Sequence, residues 1–194
     1  VVDPANCNGC RRCFDDCPYQ AVTMVEHPMR AGRQLAQVNA DLCASCGICA
    51  GACPSATPFR GAAALVSGID MPTLTVDALR RQLRDGLAAL TGSAPKIVAF
   101  GCRQGADVHR LASTDVLSLS LLCTGQLPPS FIEYALRQGA AGVLVTGCRD
   151  GDCTFRLGQR WTEERLLGRR EPHLRTSVPR ERLKGSWAGA FGNP

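Results

Sequence analysis

The chain has 194 residues and a formal net charge of +5, and 45% of its residues are hydrophobic. This length fits two small domains better than one, and no apolar run approaches the length that spans a bilayer, so we expect no transmembrane segment. The 12 cysteines follow metal-site spacings and the sequence shows no signal peptide, which favours a reducing cytoplasm over a disulfide framework. Because the first residue is Val1, an upstream domain or anchor is left open, and an anchor or a partner would hold the protein at the inner face of the membrane.

One cysteine motif occurs twice with identical spacing. The pattern C-x2-C-x2-C-x3-C-P begins at Cys7 and again at Cys43. It is the pattern of two-cluster ferredoxins, in which the fourth cysteine of each run binds the other cluster. We therefore expect two 4Fe-4S clusters, and zinc ribbons or disulfides are the less favoured alternatives. The two predicted ligand sets are Cys7, Cys10, Cys13 and Cys53 for the first cluster, and Cys43, Cys46, Cys49 and Cys17 for the second.

Residues 1–60 are predicted to be an α+β two-cluster ferredoxin domain. They contain few large aliphatic residues, so metal binding must supply much of the folding energy and the apo form should be largely disordered. Phe14 and Tyr19 are predicted to shield the first cluster from water. The arginines Arg11, Arg12 and Arg103 adjoin predicted ligands and either stabilise the reduced clusters or are surface charge.

Residues 61–94 are predicted to form a linker and a helix. Leucines recur at helical spacing at Leu79, Leu83, Leu87 and Leu90, and Thr75 is placed to cap the helix. We expect this helix to pack on the sheet of the second domain.

Residues 95–194 are predicted to be an α/β domain with a mostly parallel, flavodoxin-like sheet. Apolar runs at 97–100, 116–122 and 143–145 alternate with helix-like stretches, one of them opened by Pro128 and Pro129 and closed by Gly139. A cysteine follows each run, at Cys102, Cys123 and Cys148. Because sites in such sheets form outside the carboxyl ends of the strands, these cysteines should converge.

Cys153 completes a third set of four ligands. Its spacing from Cys148 occurs in plant-type 2Fe-2S sites, and Gly147 and Gly151 allow close approach of the backbone. We predict a 2Fe-2S cluster on Cys102, Cys123, Cys148 and Cys153. Buried structural thiols and a zinc site remain as alternatives.

The stretch from Cys123-Thr-Gly to Cys148-Arg-Asp-Gly-Asp-Cys153 resembles the delta subunit of methyl-viologen-reducing hydrogenase. The resemblance covers about residues 96–168 and implies the same 2Fe-2S ligands. One departure is that Thr154 and Phe155 follow the last cysteine, where the family often has an aromatic or histidine-tyrosine pair. A ferredoxin module ahead of this domain also resembles the carboxyl-terminal end of fused heterodisulfide reductase A chains, and similar pairs follow membrane cytochrome b domains.

Basic residues gather in a tail at the carboxyl-terminal end. We predict a solvated helix and tail there, with a docking strip for an acidic partner or for lipid headgroups as the alternative. The residues are Arg160, Arg165, Arg169, Arg170, Arg175, Arg180, Arg182 and Lys184. Nucleic-acid binding is not expected, since no reader motif accompanies the charge. We also find no dinucleotide fingerprint and no catalytic constellation, and we expect Trp161 and Trp187 to be packing or interface residues.

Together these features predict an electron-transfer subunit or domain with no substrate site of its own. Electrons would pass singly between a partner oxidoreductase of hydrogenase or formate dehydrogenase type and a heterodisulfide-reductase-like or cytochrome b partner. One alternative is an iron-sulfur redox sensor or interaction protein, and another is a zinc-structured scaffold.

Overall fold

A computed structural model describes residues 1–61 and 63–189 of the chain. Its helices are α1 (Arg12–Asp15), α2 (Ile48–Ala52), α3 (Val76–Ala89), α4 (Ser130–Arg137) and α5 (Gly158–Leu166). Its strands are β1 (Val22–Glu26), β2 (Gln34–Val38), β3 (Ile97–Cys102), β4 (Val116–Leu121), β5 (Gly142–Gly147) and β6 (Leu183–Trp187). None of the helices among these residues has the length and apolarity needed to cross a lipid bilayer.

The two cysteine motifs fold into loops with the same backbone path. In the first loop the left-handed positions are Gly9 (φ 72°) and Arg11 (φ 67°), and in the second they are Ser45 (φ 56°) and Gly47 (φ 80°). Each loop therefore places one glycine and one non-glycine residue in a conformation that favours glycine. The loops lead into α1 and α2, and β1 pairs with β2 antiparallel between the two motifs.

The segment 61–94 joins both halves of the chain. Ile69 pairs with Val2 in an isolated antiparallel bridge. The Thr75 hydroxyl accepts a hydrogen bond from the Ala78 amide at 3.0 Å, which confirms the predicted cap of α3. Leu79, Leu83 and Leu87 are buried in the same core as the sheet residues Val98, Phe100 and Leu121, so the predicted packing of this helix is also confirmed.

The second half contains a parallel sheet of four strands in the order β4-β3-β5-β6. Three of these strands were predicted from their apolar runs, and the predicted helix between Pro129 and Gly139 is α4. An α/β arrangement is therefore present. The order places the first strand of the domain between the second and third, as doubly wound flavodoxin-like sheets do. The flavodoxin-like assignment itself stays a prediction.

The prediction of a solvated carboxyl-terminal helix and tail holds for most of the basic side chains, which are exposed, but it is wrong for Arg165 and for the segment that forms β6. Leu183–Trp187 is the fourth strand of the sheet and pairs with β5. Leu183 and Trp187, at the two ends of this strand, are partly buried against the core. Arg165 is only 1% exposed. The strand was missed because Lys184, Gly185 and Ser186 hide the short apolar alternation.

Candidate iron-sulfur sites

Four cysteines from both motifs line one small cavity in the first half. The cysteines are Cys7, Cys10, Cys13 and Cys53, and the remaining wall is made by Asn8, Arg11, Met24, Ala36, Gly68 and Ile69. Cys53 reaches this cavity because α2 ends at Ala52 and the chain continues in an extended conformation. The structure thus brings together the four residues that the sequence predicted as ligands of the first cluster.

A second cavity contains the other four cysteines of the repeated motif. They are Cys17, Cys43, Cys46 and Cys49, and apolar residues including Val22, Val38, Ile48 and Met71 complete the wall. The amide of Ala21 donates a hydrogen bond to Cys17 Sγ at 3.3 Å. Here too the fourth cysteine of one motif lies with the first three of the other.

The thiols of both cavities lie in an environment that disfavours isolated thiolates. Burial raises the pKa of Cys13 to about 12 and that of Cys46 to about 11, and neighbouring cysteine sulfurs add to both shifts. Burial and neighbouring sulfurs also raise the pKa of Cys49. Four thiolates in one such cavity are stable only with a cationic centre among them. The soft sulfur donors and the mainly apolar walls therefore fit a 4Fe-4S cluster.

Cys102, Cys123 and Cys148 lie at the carboxyl ends of β3, β4 and β5. The sulfurs of Cys102 and Cys148 are 4.0 Å apart. A Cβ atom built on Gly158 would lie close to the sulfurs of both Cys123 and Cys153, and the neighbouring Cys102 and Cys153 raise the pKa of Cys123. The structure thus gathers the four cysteines that the sequence predicted as a third set. Because β3 lies between β4 and β5, the set occupies the topological switch point of the sheet, where ligands of such folds bind.

Hydrogen-bond donors surround this third set. The Cys123 thiol and the amides of Gln159, Phe155 and Gly158 lower the pKa of Cys153. A Cβ atom built on Gly158 would lie 2.1 Å from Cys123 Sγ, so only glycine lets α5 begin this close to the sulfurs. Amides directed at sulfur stabilise thiolates and tune a metal centre that they hold. Among residues 1–61 and 63–189, no group of three or more His, Cys, Asp or Glu side chains is arranged to hold a single metal ion.

The predicted shielding of the first cluster by Phe14 and Tyr19 is wrong. Phe14 is 39% exposed and does not line the Cys7 cavity. Tyr19 lines the Cys17 cavity instead. Burial raises the pKa of Tyr19, and so do the sulfurs of Cys46, Cys153 and Cys123. Tyr19 packs against the cluster of Cys46, Ile48 and Trp161, which Phe155, two residues after Cys153, also contacts.

A buried ion pair joins the segments that carry these cysteines. Arg165 Nη2 donates to Asp16 Oδ2 at 2.5 Å, and its Nη1 donates to the Gly125 carbonyl at 3.0 Å. Asp16 precedes Cys17, and Gly125 follows Cys123 by two residues. Arg170 Nη1 also contacts Asp16, at 2.6 Å from Oδ1. Sequence reasoning missed this junction because nothing in the local pattern of Arg165 distinguishes it from its solvated neighbours.

The packing at this junction leaves no room for a side chain at position 51 of α2, which is glycine. A Cβ atom at Gly51 would lie 2.0 Å from the Gly125 carbonyl oxygen and 2.9 Å from Arg165 Nη1. The helix that precedes Cys53 therefore touches the turn that follows Cys123. The cysteine-bearing loops of the two halves are therefore in contact.

Two family models match the chain, one in each half. The model for the methyl-viologen-reducing hydrogenase delta subunit matches residues 97–191, and the model for the 4Fe-4S dicluster domain matches residues 6–57. These matches confirm the combination of modules that the sequence predicted.

Curated relatives carry one or both modules. An iron-sulfur subunit of the vhc F420-non-reducing hydrogenase of Methanococcus voltae is 30% identical over 104 residues, which is 50% of this chain and 72% of that protein. One chain of the ferredoxin:CoB-CoM heterodisulfide reductase of Methanosarcina mazei is 28% identical over 97% of this chain, which covers 22% of that protein. An iron-sulfur subunit of the F420-non-reducing hydrogenase of Archaeoglobus profundus is 36% identical over 72 residues, 53% of its length. The chain therefore spans about half or more of the hydrogenase subunits but a small part of the reductase chain.

Proposed function

The chain belongs to the family of hydrogenase iron-sulfur delta subunits, here joined to a 4Fe-4S dicluster domain, and on that premise we propose that it relays single electrons within a larger oxidoreductase complex. The complex would be of the hydrogenase or heterodisulfide reductase type, as the names of the relatives suggest. We also propose formate dehydrogenase and a membrane cytochrome b as partners of the chain. The proposed location of the protein is the cytoplasm or the cytoplasmic face of a membrane.

The observation that carries the proposal is the exchange of the fourth cysteine between the two motifs. Cys53 lies with the cysteines of the first motif, and Cys17 lies with those of the second. Cys7, Cys10, Cys13 and Cys53 would hold one 4Fe-4S cluster, and Cys43, Cys46, Cys49 and Cys17 the other. Such a cluster supplies a one-electron reduction and oxidation whose potential the surrounding protein sets.

We further propose that Cys102, Cys123, Cys148 and Cys153 hold a 2Fe-2S cluster. The support is the convergence of four sulfurs at three neighbouring strand ends and the amide donors directed at Cys153. Zinc in this site, or unligated thiols, are the alternatives that metal content would reveal.

The arrangement of the cysteines suggests a linear order for the relay. Cys17 and Cys49 of the second cavity pack in one cluster with Cys7 and Cys13 of the first. Cys46 of the second cavity packs in another cluster, against which Tyr19 and Phe155 lie, and Phe155 follows Cys153 by two residues. We therefore place the Cys17 cavity in the middle, between the Cys7 cavity and the third set. Arg165 and Tyr19 of this chain would fix the spacing between the last two.

Metal analysis with spectroscopy tests the proposal. The chain is purified without oxygen, its iron, sulfide and zinc are measured, and electron paramagnetic resonance spectra are recorded during stepwise reduction. We expect about ten irons per chain, with two 4Fe-4S signals and one 2Fe-2S signal. About eight irons per chain would support the two 4Fe-4S clusters of the ferredoxin half and contradict the 2Fe-2S proposal. Zinc without iron or sulfide would overturn the electron-transfer function altogether.

A further inference from the structure

Four of the eight basic residues in the segment near the carboxyl terminus are paired with carboxylates of the chain. Arg160 and Arg170 pair with Glu164 at 3.1 and 2.7 Å. Arg165 is buried against Asp16, and Arg175 lies 3.6 Å from Glu133. Paired and buried arginines offer little attraction to an acidic partner. The other four basic residues, Arg169, Arg180, Arg182 and Lys184, are exposed and form no ion pair among the described residues, so this segment keeps unneutralised charge of its own.

Three arginines, unpaired within the described part of the chain, also lie around the rim of the Cys7 cavity. Arg11 lines the cavity. Arg30 donates to the Cys7 carbonyl at 3.2 Å, and Arg60 donates to Asn6 Oδ1 at 3.2 Å. All three side chains are exposed. Over residues 1–61 and 63–189, no carboxylate lies within ion-pair distance of any of the three.

The same rim exposes a predicted ligand and an aromatic ring. Cys10 is the exposed cysteine, whereas the other eleven are buried or half-buried. The Arg11 guanidinium lies 4.9 Å from the centre of the Phe14 ring, which is itself 39% exposed. Aromatic and arginine side chains are enriched where proteins bind each other. An electron that enters or leaves beside Cys10 would cross the least protein.

We propose that this rim, formed by Cys10, Arg11, Phe14, Arg30 and Arg60, is the docking surface for an acidic face of a redox partner. The inference rests on the proposed function and adds that the Cys7 cavity is the end of the relay that meets this partner. Because the three arginines are exposed and form no ion pair among the described residues, they present positive charge to a partner, and complementary charge raises the rate of encounter and orients it.

The test compares two protein acceptors of opposite charge. The holoprotein is reduced with dithionite, freed of excess reductant, and mixed in a stopped-flow instrument with flavodoxin, a small acidic flavoprotein, or with cytochrome c, a small basic haem protein. Rates are measured from low to high ionic strength, because the Debye length falls from about 30 Å at 0.01 M to about 8 Å at 0.15 M. A variant with Arg11, Arg30 and Arg60 changed to Gln is compared with a control with Arg110, Arg169 and Lys184 changed to Gln. The control residues are exposed, without ion pairs among the described residues, and outside the walls of the cavity.

We expect the rim variant to reduce flavodoxin about tenfold more slowly than the native chain at low ionic strength and to lose most of its salt dependence. Its rate with cytochrome c should not fall, and the control variant should resemble the native chain with both acceptors. A third variant has Arg11, Arg30 and Arg60 changed to Lys, which keeps the positive charge. It should keep most of the flavodoxin rate, so it distinguishes an effect of lost charge from an effect of altered folding. Equal effects in the rim and control variants, or a rim variant that is unchanged, would overturn the docking surface. Iron and sulfide measured in the same samples show whether the clusters themselves are present, so a failure of the proposed function is recognised separately.

Discussion

The buried pair of Asp16 and Arg165 predicts unequal costs for removing its two members. Asp16→Asn leaves a guanidinium that is 1% exposed without a counter-charge, and such a loss costs about 3–5 kcal/mol. Arg165→Met leaves Asp16 paired with Arg170 at 2.6 Å, so the loss is about 1.5–3 kcal/mol, the range for hydrogen bonds to charged groups. The isosteric change of the carboxylate should therefore be the more damaging of the two.

Thermal unfolding of the iron-loaded protein without oxygen, followed by circular dichroism, measures this difference. For a chain of this size each kcal/mol shifts the midpoint by about 2–4 °C. We therefore expect a fall of about 6–20 °C for Asp16→Asn and about 3–12 °C for Arg165→Met. Asp85→Asn is the control, because its partner Arg84 lies 2.8 Å away in an exposed pair and should leave the midpoint unchanged. If Arg165→Met proved the more damaging change, the charge argument for this junction would be wrong.

Three further changes test the cysteine sets and their surroundings. Cys53→Ala should remove the cluster of the first motif and leave the other 4Fe-4S signal in the electron paramagnetic resonance spectrum, whereas Cys17→Ala should do the reverse; loss of the sequence neighbours instead would refute the exchange of ligands. Gly158→Ala places a methyl group against Cys123 Sγ and should lower the iron content from about ten to about eight per chain, while Gly61→Ala, which meets nothing within 4 Å, should not. Removal of iron by a chelator should unfold the ferredoxin half first, with the amide protection of the parallel sheet outlasting that of the ferredoxin strands in hydrogen exchange.

Most of the site was predictable because its signals are local in sequence. The spacing of the cysteines is a direct consequence of loop geometry around a metal centre, and the runs that end at Cys102, Cys123 and Cys148 are strands in the structure. Thr75 and the leucines of α3 likewise follow a periodicity that depends only on the helix.

The features that were missed depend on contacts between distant parts of the chain. Arg165 is buried by Asp16, 149 residues away in sequence. Strand β6 exists because β5 offers it a partner, and its own five residues carry little strand signal. Phe14 was placed at a cluster from its position beside Cys13, but the direction of its side chain is set by α1, which turns it to solvent. Local pattern alone does not contain such information.

The division of the chain at residue 60 is the remaining sequence prediction, and the structure suggests a way to test it. The wall of the first cavity includes Gly68 and Ile69, and that of the second includes Met71. A truncated chain that ends at residue 60 lacks all three, whereas one that ends at Thr75 keeps them. We expect the shorter chain to lose its iron faster than the longer one during anaerobic dialysis against a chelator, because its clusters would be open to water on one side. Equal rates of iron loss in the two truncated chains and the full chain would show that residues 1–60 are self-sufficient and that the packing of the later segment on the cysteine loops contributes nothing to metal retention.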